Sequence, residues 1–322
     1  MIVFLTFSGF GVCCSFDAEC DTTTSQNGTY FTSPDTLPSV CSLMITPLND
    51  DICQVRVEFE SLSLMDPDEN GKCKSEYVQL TGGVTGTSIP TLCGTLEGQH
   101  VIYTPITNFP ARLSVVLDTN TVTSSSTSWR MKVLQYSCDS PVLAPDGCLQ
   151  YFTGISGNVS SFNFKTEDNA NTATYPNHIA DLNYNICLRR ESGYCAVEWS
   201  TGSPYNQKGL FSISGDESSL TDPIPDGSLA ANGDTDCQKD YVMIPQGGDA
   251  ANPDFLTRDR FCGLGLGLCS DTTCATGSNN LGAVYTSVLP FTLGVVTDSD
   301  ETSASDVSNR GFKLQYKQQP CA

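Results

Sequence analysis

The chain has 322 residues, with 16 basic against 36 acidic side chains and a formal charge of −20. That charge repels nucleic acid and anionic membrane surfaces, which excludes both as partner classes. A content of 39% hydrophobic and 9% aromatic residues excludes a disordered acidic tail and suffices for the cores of about two domains.

Sixteen cysteines accompany only two histidines, His100 and His178, and no Cys-x-x-Cys pair occurs. Metal centres usually recruit histidines and tight cysteine pairs. An even cysteine count at wide spacings reads instead as a disulfide framework formed in an oxidising compartment. Two glycosylation sequons, at Asn27 and Asn158, agree with secretion.

In chain order, the opening MIVFLTFSGFGVCC is apolar but short and has no basic residue before it, so it reads either as a weak signal segment or as an incomplete start. No later stretch reaches the roughly 18 apolar residues of a membrane span. CQVRVEF at 53–59 alternates with period two, placing Cys53, Val55, Val57 and Phe59 on one buried face. CKSEYVQL follows at 73–80, and WRMKVLQYSC at 129–138 is an amphipathic strand closing on a cysteine. SPVLAPDG at 140–147 reads as a connection stiffened by Pro141 and Pro145. Beyond it the phrases return: CAVEW at 195–199 alternates like 53–59, CQKDYVMI at 237–244 repeats CKSEYVQL, and GFKLQYKQQPC at 311–321 closes on a cysteine again. Gly, Ser, Thr, Asp and Asn clusters separate these segments, and helical periodicity never persists for three turns. The reading is all-β, with one unit used twice.

The order Cys, amphipathic strand, Cys-x-x-(Asp/Glu)-Tyr-Val, Cys-Gly, apolar strand and aromatic closing strand resembles the CUB domain. Its landmarks are Cys73 to Val78 with Cys93-Gly94, Cys237 to Val242 with Cys262-Gly263, and the closing Gly311-Phe312 to Tyr316. Over residues 20–321 the chain resembles secreted tandem CUB proteins of the kind common in arthropods. In those proteins a Cys-rich segment ending Gly-Val-Cys-Cys often comes first, so Gly11 to Cys14 make a truncated start the expectation. The resemblance implies two disulfide-braced jelly-roll β-sandwiches in tandem. Residues 1–19 are then an N-terminal Cys-rich remnant or weak signal segment, 20–138 the first CUB domain, 139–147 a linker and 148–321 the second. The pairing expected on the shared cysteine order is Cys20–Cys41, Cys53–Cys138 and Cys73–Cys93, echoed by Cys148–Cys187, Cys195–Cys321 and Cys237–Cys262. Cys269–Cys274 would be a local clip, with Cys13 and Cys14 left outside the scheme.

Some CUB domains bind Ca²⁺ through a Glu, the Asp of the Cys-x-x-Asp-Tyr stretch and an Asp in a late loop, hard oxygen ligands suited to that cation. In the first repeat Met65 stands where the Glu belongs, Glu76 replaces the Asp, and the late loop offers Asp118, Thr119 and Asn120. The second repeat keeps Asp240, with Asp298 and Asp300 in the late loop, and places Ser214 at the Glu position, with Asp216 and Glu217 nearby. The candidate Ca²⁺ set is therefore Asp240, Asp298 and Asp300, against the plainer reading of a solvated acidic loop.

GLGLGLC at 263–269 looks like a phosphate-cradling glycine run but lacks the helix such a loop needs, which favours a clipped loop. Neither histidine accompanies a nucleophile elbow or a zinc-protease pattern, so the chain reads as no enzyme. Tyr103, Tyr151, Phe152, Tyr175 and Tyr205 sit near expected loops, where edge packing outweighs partner anchoring. The expected function is a secreted, non-catalytic adaptor that recognises an extracellular protein, a basic one by charge, or a glycan. The alternatives are the non-catalytic CUB portion of a secreted protease system and a structural component of extracellular matrix or cuticle.

Overall fold

A computed structural model of the chain describes residues 16–82, 89–104, 110–117, 127–165, 178–202, 210–214, 230–249, 257–268, 280–299, 301 and 309–321. Every regular element among them is a β-strand. Two compact units result: Met1–Asp66 with Cys73–Gln150, and Pro67–Lys72 with Tyr151–Ala322.

The first unit holds β1 (Phe16–Ala18), β2 (Thr22–Thr24), β3 (Thr29–Thr32), β4 (Val40–Ile45), β5 (Ile52–Ser63), β6 (Glu76–Thr81), β7 (His100–Tyr103), β8 (Ala111–Leu117) and β9 (Ser128–Ser137). They form two sheets, in the orders β1-β3-β9-β5-β7 and β2-β4-β8-β6. β10 (Cys148–Phe152) crosses the boundary and pairs within the sheets of the second unit, which continues with β11 (Ser156–Ser160), β12 (Asn183–Leu188), β13 (Tyr194–Ser200), β14 (Phe211–Ser212), β15 (Ala230–Asn232), β16 (Tyr241–Gly247) and β17 (Arg258–Gly263). β18 (Gly267–Leu268), β19 (Asn280–Leu281), β20 (Ala283–Thr286), β21 (Thr292–Val296) and β22 (Gly311–Pro320) complete it. Its main sheets run β10-β12-β21-β16-β17-β15 and β11-β22-β13-β20. Strand for strand, β2-β4-β8-β6 corresponds to β10-β12-β21-β16, and β3-β9-β5-β7 to β11-β22-β13-β20. Each unit is a disulfide-braced sandwich of the jelly-roll kind.

Period two explains the cores. In β9, Trp129, Met131, Val133 and Gln135 face inward; in β22, Phe312, Leu314, Tyr316 and Gln318 do. These side chains bury the apolar face that each alternating pattern carries, at about 25 cal/mol per Å² removed from water. Ring contacts join Phe31 to Trp129 at 6.0 Å and Trp199 to Tyr316 at 6.1 Å between centroids.

At the cysteines the parity differs from expectation. Val55, Val57 and Phe59 are buried, yet Cys53 is only half-buried and Gln54 faces inward instead. The register with β9 shifts between Ile52 and Gln54, and that of β13 with β22 shifts between Tyr194 and Ala196, where Cys195 is exposed. A β-bulge thus sits on each cysteine and removes it from the alternation. The inward Gln54 is satisfied by Ala144, whose N–H donates to Oε1 at 2.8 Å and whose carbonyl accepts from Nε2 at 3.0 Å.

The structure joins Cys20 to Cys41, Cys53 to Cys138, Cys73 to Cys93, Cys195 to Cys321 and Cys237 to Cys262. Cys148 and Cys187 are disulfide-bonded as well. Cys13, Cys14, Cys269 and Cys274 lie outside the described residues. In the glycine run, Leu264, Leu266 and Leu268 are all buried, so its leucines alternate inward as strand residues do.

The closing motif has a steric logic. Gly311 has φ +92°, and a Cβ there would lie 2.0 Å from Ser161 Oγ, which accepts the Phe312 N–H at 3.0 Å. Gly157 on β11 lies under Tyr316: an added Cβ would meet its ring and hydroxyl at 2.7–2.9 Å. The Tyr316 hydroxyl donates to Thr153 O at 3.0 Å.

Candidate functional site

The acid three residues beyond the cysteine turns inward in both units, but to different ends. Glu76, at the start of β6, is buried; its Oε2 accepts the Met65 N–H at 2.8 Å, and the Thr127 hydroxyl lies 3.0 and 2.9 Å from its two oxygens. These contacts make Glu76 a structural tie. Asp118, Thr119 and Asn120 lie outside the described residues.

Asp240, just before β16, is also buried, and its Oδ1 accepts the Asp298 N–H at 2.6 Å. The chain leaving β21 is held there by residues 178–182. Thr297 donates its hydroxyl to Ile179 O and accepts the Leu182 N–H, both at 2.8 Å, and Asp181 N–H donates to Asp298 O at 2.8 Å. His178 is anchored by its own N–H to Asn309 O at 2.6 Å, and Asn309 accepts from the Ser212 hydroxyl at 3.1 Å. Three loops thereby bring His178, Asp240 and Glu301 together, each with a potential ligand atom within 4.8 Å of the others and none more than 2% exposed. His178 Nε2 lies 3.1 Å from Glu301 Oε1.

Of the expected Ca²⁺ set, Asp240 is in this cluster. The Asp298 carboxylate is 3.9 Å from Lys239 Nζ, and Asp300 lies outside the described residues, as do Asp216 and Glu217. Ser214 is described, as the half-buried residue after buried Ile213. An imidazole beside two carboxylates does not fit the all-oxygen environment that Ca²⁺ prefers. His178 and Glu301 escaped the sequence reading because 123 positions separate them and neither belongs to a local motif. The usable signal was one of two histidines in a chain rich in acids.

Among the aromatic candidates Tyr103 and Tyr151 are buried and Phe152 is half-buried, which is edge packing. Burial pushes the Tyr103 phenol up to about 12. Tyr175 and Tyr205 lie outside the described residues. His100 is buried within β7.

The sequon asparagines differ in surroundings. Asn158 is exposed on β11, an edge strand. Asn27 Nδ2 donates to Gln135 O and its Oδ1 accepts the Gln135 N–H, both at 2.9 Å.

The family model of the animal CUB domain matches residues 145–319, more than half of the chain. The chain belongs to the animal CUB domain family. Solved structures similar to this CUB chain include the human MASP-1/3 CUB1-EGF-CUB2 segment, at 15% identity and TM-score 0.26, covering 90% of this chain and 98% of that one. The full extracellular region of zebrafish Gpr126/Adgrg6 matches at 12% identity and TM-score 0.30, covering 92% of this chain and 36% of that one. With scores this low, the family assignment rests on the match over 145–319. No curated protein matches the chain. Among the described residues no helix is long and apolar enough to cross a membrane.

Proposed function

We propose that this CUB chain is a secreted adaptor that binds a basic extracellular protein through its second sandwich, with its first half a further CUB domain. The tandem reading is supported by the corresponding strand orders and by the bulged cysteine in each β5-type strand. Secretion is supported by the disulfides, which persist in oxidising compartments. CUB domains are generally non-catalytic binding modules, and a rigid sandwich presenting loops suits that work.

The observation that carries the choice of partner is a surface cleft of about 400 Å³ whose lining includes Asp234, Asp236, Asp259 and Arg258. Asp234 Oδ1 is 3.3 Å from Arg260 Nε, and Asp259 accepts the Gln246 N–H at 2.7 Å. Asp236 is exposed at the rim. In a chain of charge −20 the cleft attracts a lysine or arginine of the partner, and the attraction weakens with salt.

The test is capture from extracellular fluid on the immobilised chain, beside the double variant Asp234→Asn/Asp236→Asn. The expected result is a basic protein retained at low salt, released at high salt and held less by the variant. Equal capture by both chains would sink the cleft as the binding face, and elution by free sugar would transfer the reading to a glycan.

A further inference from the structure

We propose that His178, Asp240 and Glu301 form a binding site for a divalent transition-metal ion of the zinc class. The three groups converge from the loops before β12, before β16 and after β21, and their ligand atoms already lie within 4.8 Å of one another. Around a zinc ion with bonds near 2.0–2.1 Å, neighbouring tetrahedral ligands stand about 3.3 Å apart. The 3.1 Å between His178 Nε2 and Glu301 Oε1 is that separation to within a small adjustment.

Glu301 supplies the independent observation. Its side chain is fully buried, yet neither carboxylate oxygen accepts a hydrogen bond from any of the described residues. A buried carboxylate is costly unless it is hydrogen-bonded, paired or coordinated to a metal. Proximity to His178 without hydrogen-bonding geometry is the relation that two ligands of one cation have.

The donor set selects the ion. One imidazole nitrogen and two carboxylates suit zinc and its neighbours, whereas Ca²⁺ collects six to eight oxygens. With the imidazole neutral, the two carboxylates balance a doubly charged cation, so the cluster becomes neutral on loading. Three protein ligands leave one tetrahedral position for water or a fourth group. The site shares only Asp240 with the calcium set, and it stands independently of the adaptor function.

The test uses the full, oxidised chain with any free thiols blocked, stripped by chelator and then titrated with Zn²⁺. The expected result is one zinc retained per chain after desalting and a raised thermal midpoint, neither reproduced by millimolar Ca²⁺. His178→Gln and Glu301→Gln should each weaken zinc binding at least tenfold. As a readout independent of variant folding, the unsubstituted chain loaded with Co²⁺ should show visible d–d absorption and a hyperfine-shifted imidazole N–H resonance. The proposal is overturned if the stripped chain retains no zinc, if a folded variant keeps the original affinity, or if the Co²⁺ form lacks the imidazole signal.

Discussion

Gln135 and Gln318 occupy the same place in the two sandwiches, three residues before the cysteine that ends each closing strand. Both are buried, and each clamps the loop between the same pair of strands. Gln135 Oε1 accepts the Leu48 N–H at 2.8 Å and its Nε2 donates to Thr46 O at 3.1 Å, between β4 and β5. Gln318 Oε1 accepts the Glu191 N–H at 3.0 Å and its Nε2 donates to Arg189 O at 2.8 Å, between β12 and β13, with a further bond to Gly154 O at 2.9 Å. Gln135→Leu and Gln318→Leu leave those backbone groups unpaired. Each should cost about 1–3 kcal/mol in urea unfolding of the oxidised protein, and a change under about 0.5 kcal/mol would deny the clamp.

Tyr103 contributes to an alkaline limit, as does Tyr184, whose phenol is also raised by burial. The Tyr103 phenol is held up to about 12 by burial, so the folded state resists its ionisation while the unfolded chain ionises near the usual value of about 10. The resulting contribution to stability is complete below pH 10 and is lost as the pH rises from about 10 to 12. Trp129 fluorescence should report this loss, and Tyr103→Phe should reduce its slope.

Gly157→Ala places a methyl group against the Tyr316 ring. The expected cost is about 1–3 kcal/mol by overpacking. Adding Tyr316→Leu should recover part of it, giving a double-mutant coupling that independent sites would lack.

Bridges differ in the chain they enclose. Cys195–Cys321 spans 126 residues and Cys237–Cys262 spans 25. By loop-closure entropy, replacing the first pair with alanines should cost about 1.4 kcal/mol more than replacing the second. Equal losses would locate the stabilisation in the folded state.

Peptide mass spectrometry of secreted material should find glycan on Asn158 in preference to Asn27. The first is exposed on an edge strand, whereas attachment to Asn27 would disturb its paired bonds to Gln135.

Much of the architecture was legible because sandwich strands carry a local signal. Val55, Val57 and Phe59 alternate inward as period two demands, and the inward row of β9 extends through Gln135. Cys53 broke the parity because a bulge depends on register with a distant strand, which its neighbours in sequence do not encode. The cluster was less legible for a similar reason. Asp240 could be singled out because it belongs to a local phrase, whereas His178 and Glu301 meet it only after β12, β16 and β21 have paired. In the glycine run the missing helix argued against a phosphate loop, while the inward alternation of Leu264, Leu266 and Leu268 became visible only in the structure.

Placing a cross-link on the bulge ties redox state to strand alignment. A slip of one residue by β5 or β13 would turn Val55, Val57 and Phe59, or Val197 and Trp199, towards solvent. Oxidation of Cys53 with Cys138, or of Cys195 with Cys321, pins the irregular residue to the far end of its neighbouring strand. Oxidative folding therefore proofreads the frame of each sandwich as well as tightening it.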